Sequence, residues 1–259
     1  MTVVLTGDVH HAIGSSDQRF VIQSEPVLSV EYAAIAARHG IKVTLFLTGR
    51  AVVEDGVAAR DLLTMEHVEI GGHGWDALRP EWWHGLLSRL MGSPHGPPWL
   101  QQKMIQRTCI AIENCGHRPV RSWRNHAYRH DEHTPRLLAE AGITVWSDQV
   151  RSEQLKPHRH PAGILSLPIN TLPDHEHLYH GARTPEFVAI EGRGPSYPPD
   201  VWCDQVCAQV EKIVSAGGVA TLLAHPICMK VADDFATFER LCIFLSSYPS
   251  LSASEAVEQ

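Results

Sequence analysis

Three short apolar runs in this chain end in residues able to move protons or hold a cation. The first is Thr6-Gly7-Asp8-Val9-His10-His11, the second Val68-Glu69-Ile70-Gly71-Gly72-His73-Gly74-Trp75, and the third Leu222-Leu223-Ala224-His225-Pro226. In extended backbone, residues two apart point the same way. Asp8 and His10 therefore address one site and His11 the opposite side. A carboxylate beside a metal ligand can take a proton from a bound water. His73 is a second candidate ligand, and Asp76, three residues on, joins it if the segment turns. Arg124 follows the run Val120–Trp123 and suits bidentate orientation of a carboxylate, with Asp148 or Asp8 as its mate. His225 ends a strand-like run and titrates near neutrality, which suits protonation of a leaving group. His175, His177 and His180 form a further cluster, expected to face substrate or solvent more than a metal. Each position also has an ordinary structural use: Asp8 as a loop cap, Arg124 in a plain salt bridge, His225 bonded to backbone.

Such residues act together only if strands deliver them to one place. Strand-like runs are expected at residues 3–6, 42–47, 67–70, 120–123, 143–147, 164–168 and 219–224, several apolar on every position, as suits strands covered on both faces. Helical periodicity lies between them, with faces Leu28/Tyr32/Ile35, Ile105/Cys109/Ile112, Val206/Val210/Ile213 and Phe235/Phe238/Cys242/Leu245. Gly40, Gly116, Gly142 and Gly217 punctuate the helix ends. Repeated strand–helix units imply parallel strands with helical crossovers, and in such folds chemistry belongs at the C-terminal strand ends. Asp8, His10, His73, Arg124, Asp148 and His225 all fall there. Three long stretches, residues 79–99, 151–163 and 172–199, interrupt the pattern and read as lids or binding walls.

Composition narrows the function. The chain has 259 residues and a formal net charge of -7. It has no run of Lys and Arg, which argues against nucleic acid and anionic membrane as partners. No apolar stretch reaches the length of a membrane span. The start shows no basic n-region followed by an apolar h-region, so a cytoplasmic location is expected. The six cysteines form no C-x-x-C pair and are expected to be free thiols. One domain over residues 1–259 is expected.

Taken in order, these segments resemble the polysaccharide deacetylase family (NodB homology, carbohydrate esterase family 4). Glu69-Ile70-Gly71-Gly72-His73 is similar to the family's Glu-Ile-Gly-Asn-His, Leu223-Ala224-His225 to its Leu-x-His, and the stretch from Arg124 to Ile143 to its Arg-Pro-Pro-Tyr-Gly segment and the helix after it. The resemblance implies a single-domain α/β fold, a distorted (β/α)7 barrel. It implies removal of acyl groups from N-acylated amino sugars, aided by a divalent metal, zinc being the expected ion. Carried over by position, Asp8 is the catalytic base, Arg124 orients it with Asp148 as acidic partner, and His225 is the acid. The metal would lie with His10 and His73, with Asp8 and Asp76 as supplementary ligands. Two positions depart from the pattern: Val9 stands where the usual metal aspartate would be, and Ala77 where the second histidine of His-x-x-x-His would be. The resemblance implies a carbohydrate substrate, and the signal-free start leads to the expectation of a lipid- or nucleotide-linked precursor in cell-surface (O-antigen-like) polysaccharide synthesis. A non-catalytic sugar-binding member of the fold and an amidohydrolase of a non-sugar amide are the alternatives. Trp75, Trp82, Trp83 and Trp99 could stack on sugar rings or pack inside.

Overall fold

The computed structural model describes residues 2–116, 118–186 and 195–257. Its centre is an eight-stranded sheet curled into a half-barrel. The strands are β1 (Thr2–Val9), β2 (Val43–Leu47), β3 (Val68–Gly72), β4 (Ser122–Trp123), β5 (Val145–Trp146), β6 (His158–Arg159), β7 (Leu165–Ser166) and β8 (Val219–Leu223). Their spatial order is β6-β7-β5-β4-β3-β2-β1-β8, and every pairing is parallel except β6 with β7. The seven parallel strands are the seven anticipated runs, several trimmed at their ends. All eight residues of β1 are buried, as in a parallel strand covered on both faces.

The helices are α1 (Glu25–Arg38), α2 (Gly49–Glu54), α3 (Gly56–Thr64), α4 (Glu81–Met91), α5 (Pro98–Gly116), α6 (Thr134–Glu140), α7 (Asp174–His177), α8 (Pro199–Ser215), α9 (Pro226–Asp233) and α10 (Ala236–Leu245). The four periodic faces read from the sequence are all buried in the main core. Gly40, Gly142 and Gly217 take positive φ just past helix ends, whereas Gly116 is the last residue of α5.

The long stretches hold more structure than their Pro- and Gly-rich composition suggests. Residues 79–99 contain α4, whose apolar side chains Trp82, Leu86 and Leu90 remain largely exposed. Residues 151–163 carry the antiparallel edge strand β6. Residues 172–199 carry α7, while 187–194 lie outside the described residues.

On the side of β8 away from β1, Asn170 bridges the gap in place of a regular ladder. The Asn170 amide accepts from the Thr221 N–H at 2.8 Å and donates to the Val219 carbonyl at 2.9 Å, while its own N–H donates to the Thr221 carbonyl at 3.2 Å. These bonds tie the segment after β7 to β8 and bring the last strand end back toward the others.

Candidate active site

Parallel strands in register carry their C-terminal ends to one rim. Asp8 pairs with Phe46, Leu47 with Gly72, and Gly72 with Trp123, so β1, β2, β3 and β4 end at one level. Asp8, His73 and Arg124 all stand there. Gly72 makes this close approach possible: a Cβ on it would lie 2.2 Å from the Trp123 ring, so a larger residue would displace either that ring or His73.

Three imidazoles meet just beyond the rim. His10 Nε2 lies 3.2 Å from His73 Nε2 and 3.1 Å from His126 Nδ1. The partners of the first two fix their tautomers. His10 Nδ1 lies 2.9 Å from Glu25 Oε2, which also accepts the His10 backbone N–H, and His73 Nδ1 lies 2.8 Å from the Arg124 carbonyl. Each Nδ1 must donate to its oxygen, which leaves Nε2 as a bare lone pair in the neutral ring. Two lone pairs facing each other at this distance repel unless a cation lies between them. Around a tetrahedral ion with metal–nitrogen bonds of 2.0–2.1 Å, ligand nitrogens stand about 3.3 Å apart. The observed spacings match that edge. Carboxylate and carbonyl bonds to the far nitrogens are the usual support for metal-binding histidines. Burial pushes His73 down to about 3, where its ring is neutral and free to coordinate. The donor set therefore fits a divalent ion held by His10, His73 and His126.

Beside this cluster Asp8 sits between two walls. Oδ1 accepts from Arg124 Nη1 at 2.9 Å, and Oδ2 lies 3.8 Å from His73 Nε2 and 3.6 Å from His225 Nε2. Burial alone would raise its pKa, but Arg124, His73 and His225 outweigh it and hold the carboxyl well below the usual range. Arg124 is wholly buried, and its remaining donors reach the Ser147 carbonyl, Ser147 Oγ and Thr6 Oγ1 at 2.8–3.0 Å. On the other wall, His225 caps α9. Its backbone N–H donates to Asp174 Oδ2 at 2.5 Å, and its Nδ1 lies 2.7 Å from Asp174 Oδ1. Burial pulls His225 down, yet Asp174 and Asp8 more than compensate and raise it well above an ordinary histidine.

The residues singled out in the sequence thus divide. Asp8, His10, His73, Arg124 and His225 come together, and one cleft of about 480 Å³ is lined by Asp8, His10, His126, Tyr128, His175 and His225. Asp76 does not join them. It pairs with His84 at 3.4 Å and accepts from the Leu78 N–H at 3.1 Å, within a turn where Ala77 and Leu78 take left-handed backbone (φ 51° and 56°). Asp148 lies behind Arg124 without bonding it, and accepts from the Asn125 N–H and Nδ2 at 2.6 Å each. Asp8 is the mate Arg124 takes. Asp8 also stands outside the three-imidazole set, beside it instead of within it. His11 faces away and contacts Thr48 Oγ1 at 3.2 Å.

Three site residues were not given these roles by sequence reasoning. His126 lies in a short 3-10 turn (His126–Tyr128) whose Ala127 and Tyr128 have positive φ, a conformation no periodicity reveals. Its signal was its position two residues after Arg124. Glu25 is hidden at the start of α1, and Asp174 sits in an insertion among histidines.

No protein-family model matches the chain, and no curated protein does. Solved structures do match. A Mycobacterium smegmatis protein assigned to the polysaccharide deacetylases superposes with TM-score 0.76 at 19% identity, over 99% of this chain and 88% of that one. A Pseudomonas aeruginosa PAO1 protein of the same assignment gives 0.68 at 14% identity, over 98% and 88%. A CE4 family pseudoenzyme from Bacillus anthracis gives 0.54 at 16%, over 99% and 65%. The chain therefore has the NodB-homology (CE4) polysaccharide deacetylase fold, a distorted barrel. At these identities the likeness defines architecture, and chemistry must be argued from the site.

Proposed function

We propose that this chain is a divalent-metal-dependent amidohydrolase that removes the acyl group from an N-acylated amino sugar. The observation that carries this reading is the convergence of His10, His73 and His126 beside Asp8 and His225. A divalent ion held by the three imidazoles, zinc by the chemistry of the donors, would supply Lewis acidity toward the acyl carbonyl and acidity to water. The protein's own groups do the rest. Asp8, fixed through Oδ1 by Arg124, presents Oδ2 to the cleft, where it orients the attacking water and receives its proton. His225 Nε2 faces the same space and keeps its proton between Asp174 and Asp8, so it is the group that protonates the departing amine. Tyr128 borders the cleft, where burial keeps its hydroxyl protonated and able to donate a hydrogen bond.

A second groove of about 650 Å³, lined by Arg79, Glu81, His84, Arg89, His126, Ala127 and Arg129, shares Arg79, His126 and Ala127 with the first. Arg89 and Arg129, beside the Arg79–Glu81 pair, suit a substrate carrying a phosphate, as a lipid- or nucleotide-linked sugar does. Trp82 and Trp99 are 71% and 67% exposed, which leaves their faces open to sugar rings. Among the described residues no helix is long and apolar enough to cross a membrane.

The fold also includes a pseudoenzyme, and Ala77 stands where the resemblance calls for a second histidine, so a sugar-binding protein without turnover is the competing reading. Acyl release separates the two. Chelator-treated protein reloaded with zinc should liberate acetate or formate from a panel of N-acyl amino sugars. Glycan binding with no release from any of them would favour the second reading.

A further inference from the structure

Across the cleft from the three imidazoles lies a second set of metal-type donors: Asp17, His175, His180 and Cys228. Their ligand atoms all fall within 4.8 Å of one another. They come from four separate places: a 3-10 turn after β1 (Asp17–Arg19), α7, the loop after α7, and α9. Asp17, His180 and Cys228 are buried, while His175 opens to the cleft.

Two features distinguish this group from a chance meeting of polar side chains. The first is tautomer. His180 Nδ1 lies 2.7 Å from the Leu178 carbonyl and must donate to it, so the neutral ring turns a lone pair on Nε2 toward Asp17 Oδ2, 3.4 Å away. That contact is unfavourable unless the ring gains a second proton or a cation lies between. The second is spacing. In a tetrahedral zinc site, N/O ligand pairs stand about 3.3 Å apart and S/N pairs about 3.6 Å, from metal–ligand bonds of 2.0–2.3 Å. His180 to Asp17 is 3.4 Å and Cys228 Sγ to His175 Nδ1 is 3.9 Å, near those edges, and the remaining pairs lie within 4.8 Å, so the set closes by contraction around an ion. One thiol, two imidazoles and one carboxylate make a four-ligand set without an open position, and the thiolate favours zinc over magnesium or calcium. The buried Cys228 thiol would release its proton on coordination.

We propose that Asp17, His175, His180 and Cys228 form a second, structural zinc site, separate from the His10/His73/His126 centre. Its place in the fold gives it a purpose. His175 follows Asp174 directly, and Cys228 lies three residues beyond His225. An ion joining His175 to Cys228 would clamp α7 onto the start of α9 and so hold Asp174 against His225. The site does not depend on the hydrolase reading, since the ion would bind whether or not the cleft turns over substrate.

The test uses cobalt(II) as a spectroscopic substitute and zinc for stoichiometry, on the full chain stripped with chelator and reloaded. The wild type should take up roughly two zinc ions per chain, and its cobalt form should show a thiolate-to-cobalt charge-transfer band in the near ultraviolet. His73→Ala should lose one ion and keep the band. Cys228→Ser and His180→Gln should each lose one ion, Cys228→Ser losing the band entirely. His180→Gln keeps the thiol, so it remains informative if Cys228→Ser folds poorly. A wild type that shows no thiolate band at saturating cobalt overturns the proposal, as does one whose whole metal content disappears with His73→Ala. His180 would then be a protonated partner of Asp17. Acyl release measured on the same samples reports on the hydrolase separately, because the part of the band lost in Cys228→Ser reads the second site and not turnover.

Discussion

The two walls of the cleft are built on different principles. On one, His73 and Arg124 directly follow neighbouring strands and His10 follows β1, so the sheet ladder sets their positions to within a hydrogen bond. On the other, His225 follows β8 but takes its orientation from Asp174, which arrives on a four-residue helix within a long insertion. The first wall is rigid by virtue of the fold. The second relies on the buried Asp174 carboxylate to lock a histidine in place. The rim delivers His10 and His73 directly and His225 as well, but the carboxylate that orients His225 has to be imported on α7.

The largest effect is expected where the walls meet. Asp8 touches both, and Asp8→Asn should lower acyl release by about 10²–10⁴-fold, with metal content unchanged because Asp8 is outside the three-imidazole set. An equally active Asp8→Asn protein would remove the base from the account. Next is the rigid wall itself. Arg124 is wholly buried and bonds Asp8, Thr6 and Ser147, so Arg124→Met should destabilise the fold by about 3–5 kcal/mol by taking the guanidinium away from the buried Asp8 carboxylate. Denaturant unfolding measures this, and a loss under 1 kcal/mol or so would mean that Asp8 simply takes up a proton.

A matched pair of substitutions sharpens the contrast. Glu25→Gln weakens the support behind His10 and should reduce metal affinity at the three-imidazole centre by about 10–100-fold. Asp174→Asn should leave that affinity alone and act on pH dependence. His225 is raised by Asp174 and Asp8, so activity that needs its proton is present at lower pH and lost as pH rises through the raised value. Removing the Asp174 charge moves that loss to lower pH. If Asp174→Asn leaves the alkaline limb in place, His225 is not the acid.

The smallest effect belongs to a peripheral pair. His130 is raised by its hydrogen bond to Asp148, at 3.3 Å and one-third exposed. A histidine raised on folding contributes stability below its unfolded value, and that contribution fades as pH climbs through the folded value. Wild type and His130→Ala should therefore differ slightly in melting temperature near pH 5.5 and converge above pH 8 or so.

Much of the rim could be read from residue order because apolar runs announce parallel strands and strands announce where their ends must go. Asp8, His10, His73, Arg124 and His225 were found that way. What escaped depends on backbone the sequence pattern does not encode. The left-handed pair Ala77–Leu78 follows Asp76 in the turn where it meets His84, and a similar pair, Ala127–Tyr128, follows His126 as it turns into the cluster. Asp148 was legible as a strand-end carboxylate, but its choice of Asn125 over Arg124 is a matter of packing. Helix α4 was obscured by its flanking prolines and exposed tryptophans, and Asp174 by the histidines around it.

The account turns on His126, the ligand that the geometry nominates and the motif does not. Zinc titration of chelator-stripped protein, wild type against His126→Ala, measures it most directly when acyl release is followed on the same samples. The variant should lose one tightly bound ion and, with it, nearly all release of acetate or formate. A His126→Ala protein that binds zinc and hydrolyses as the wild type does would contradict it.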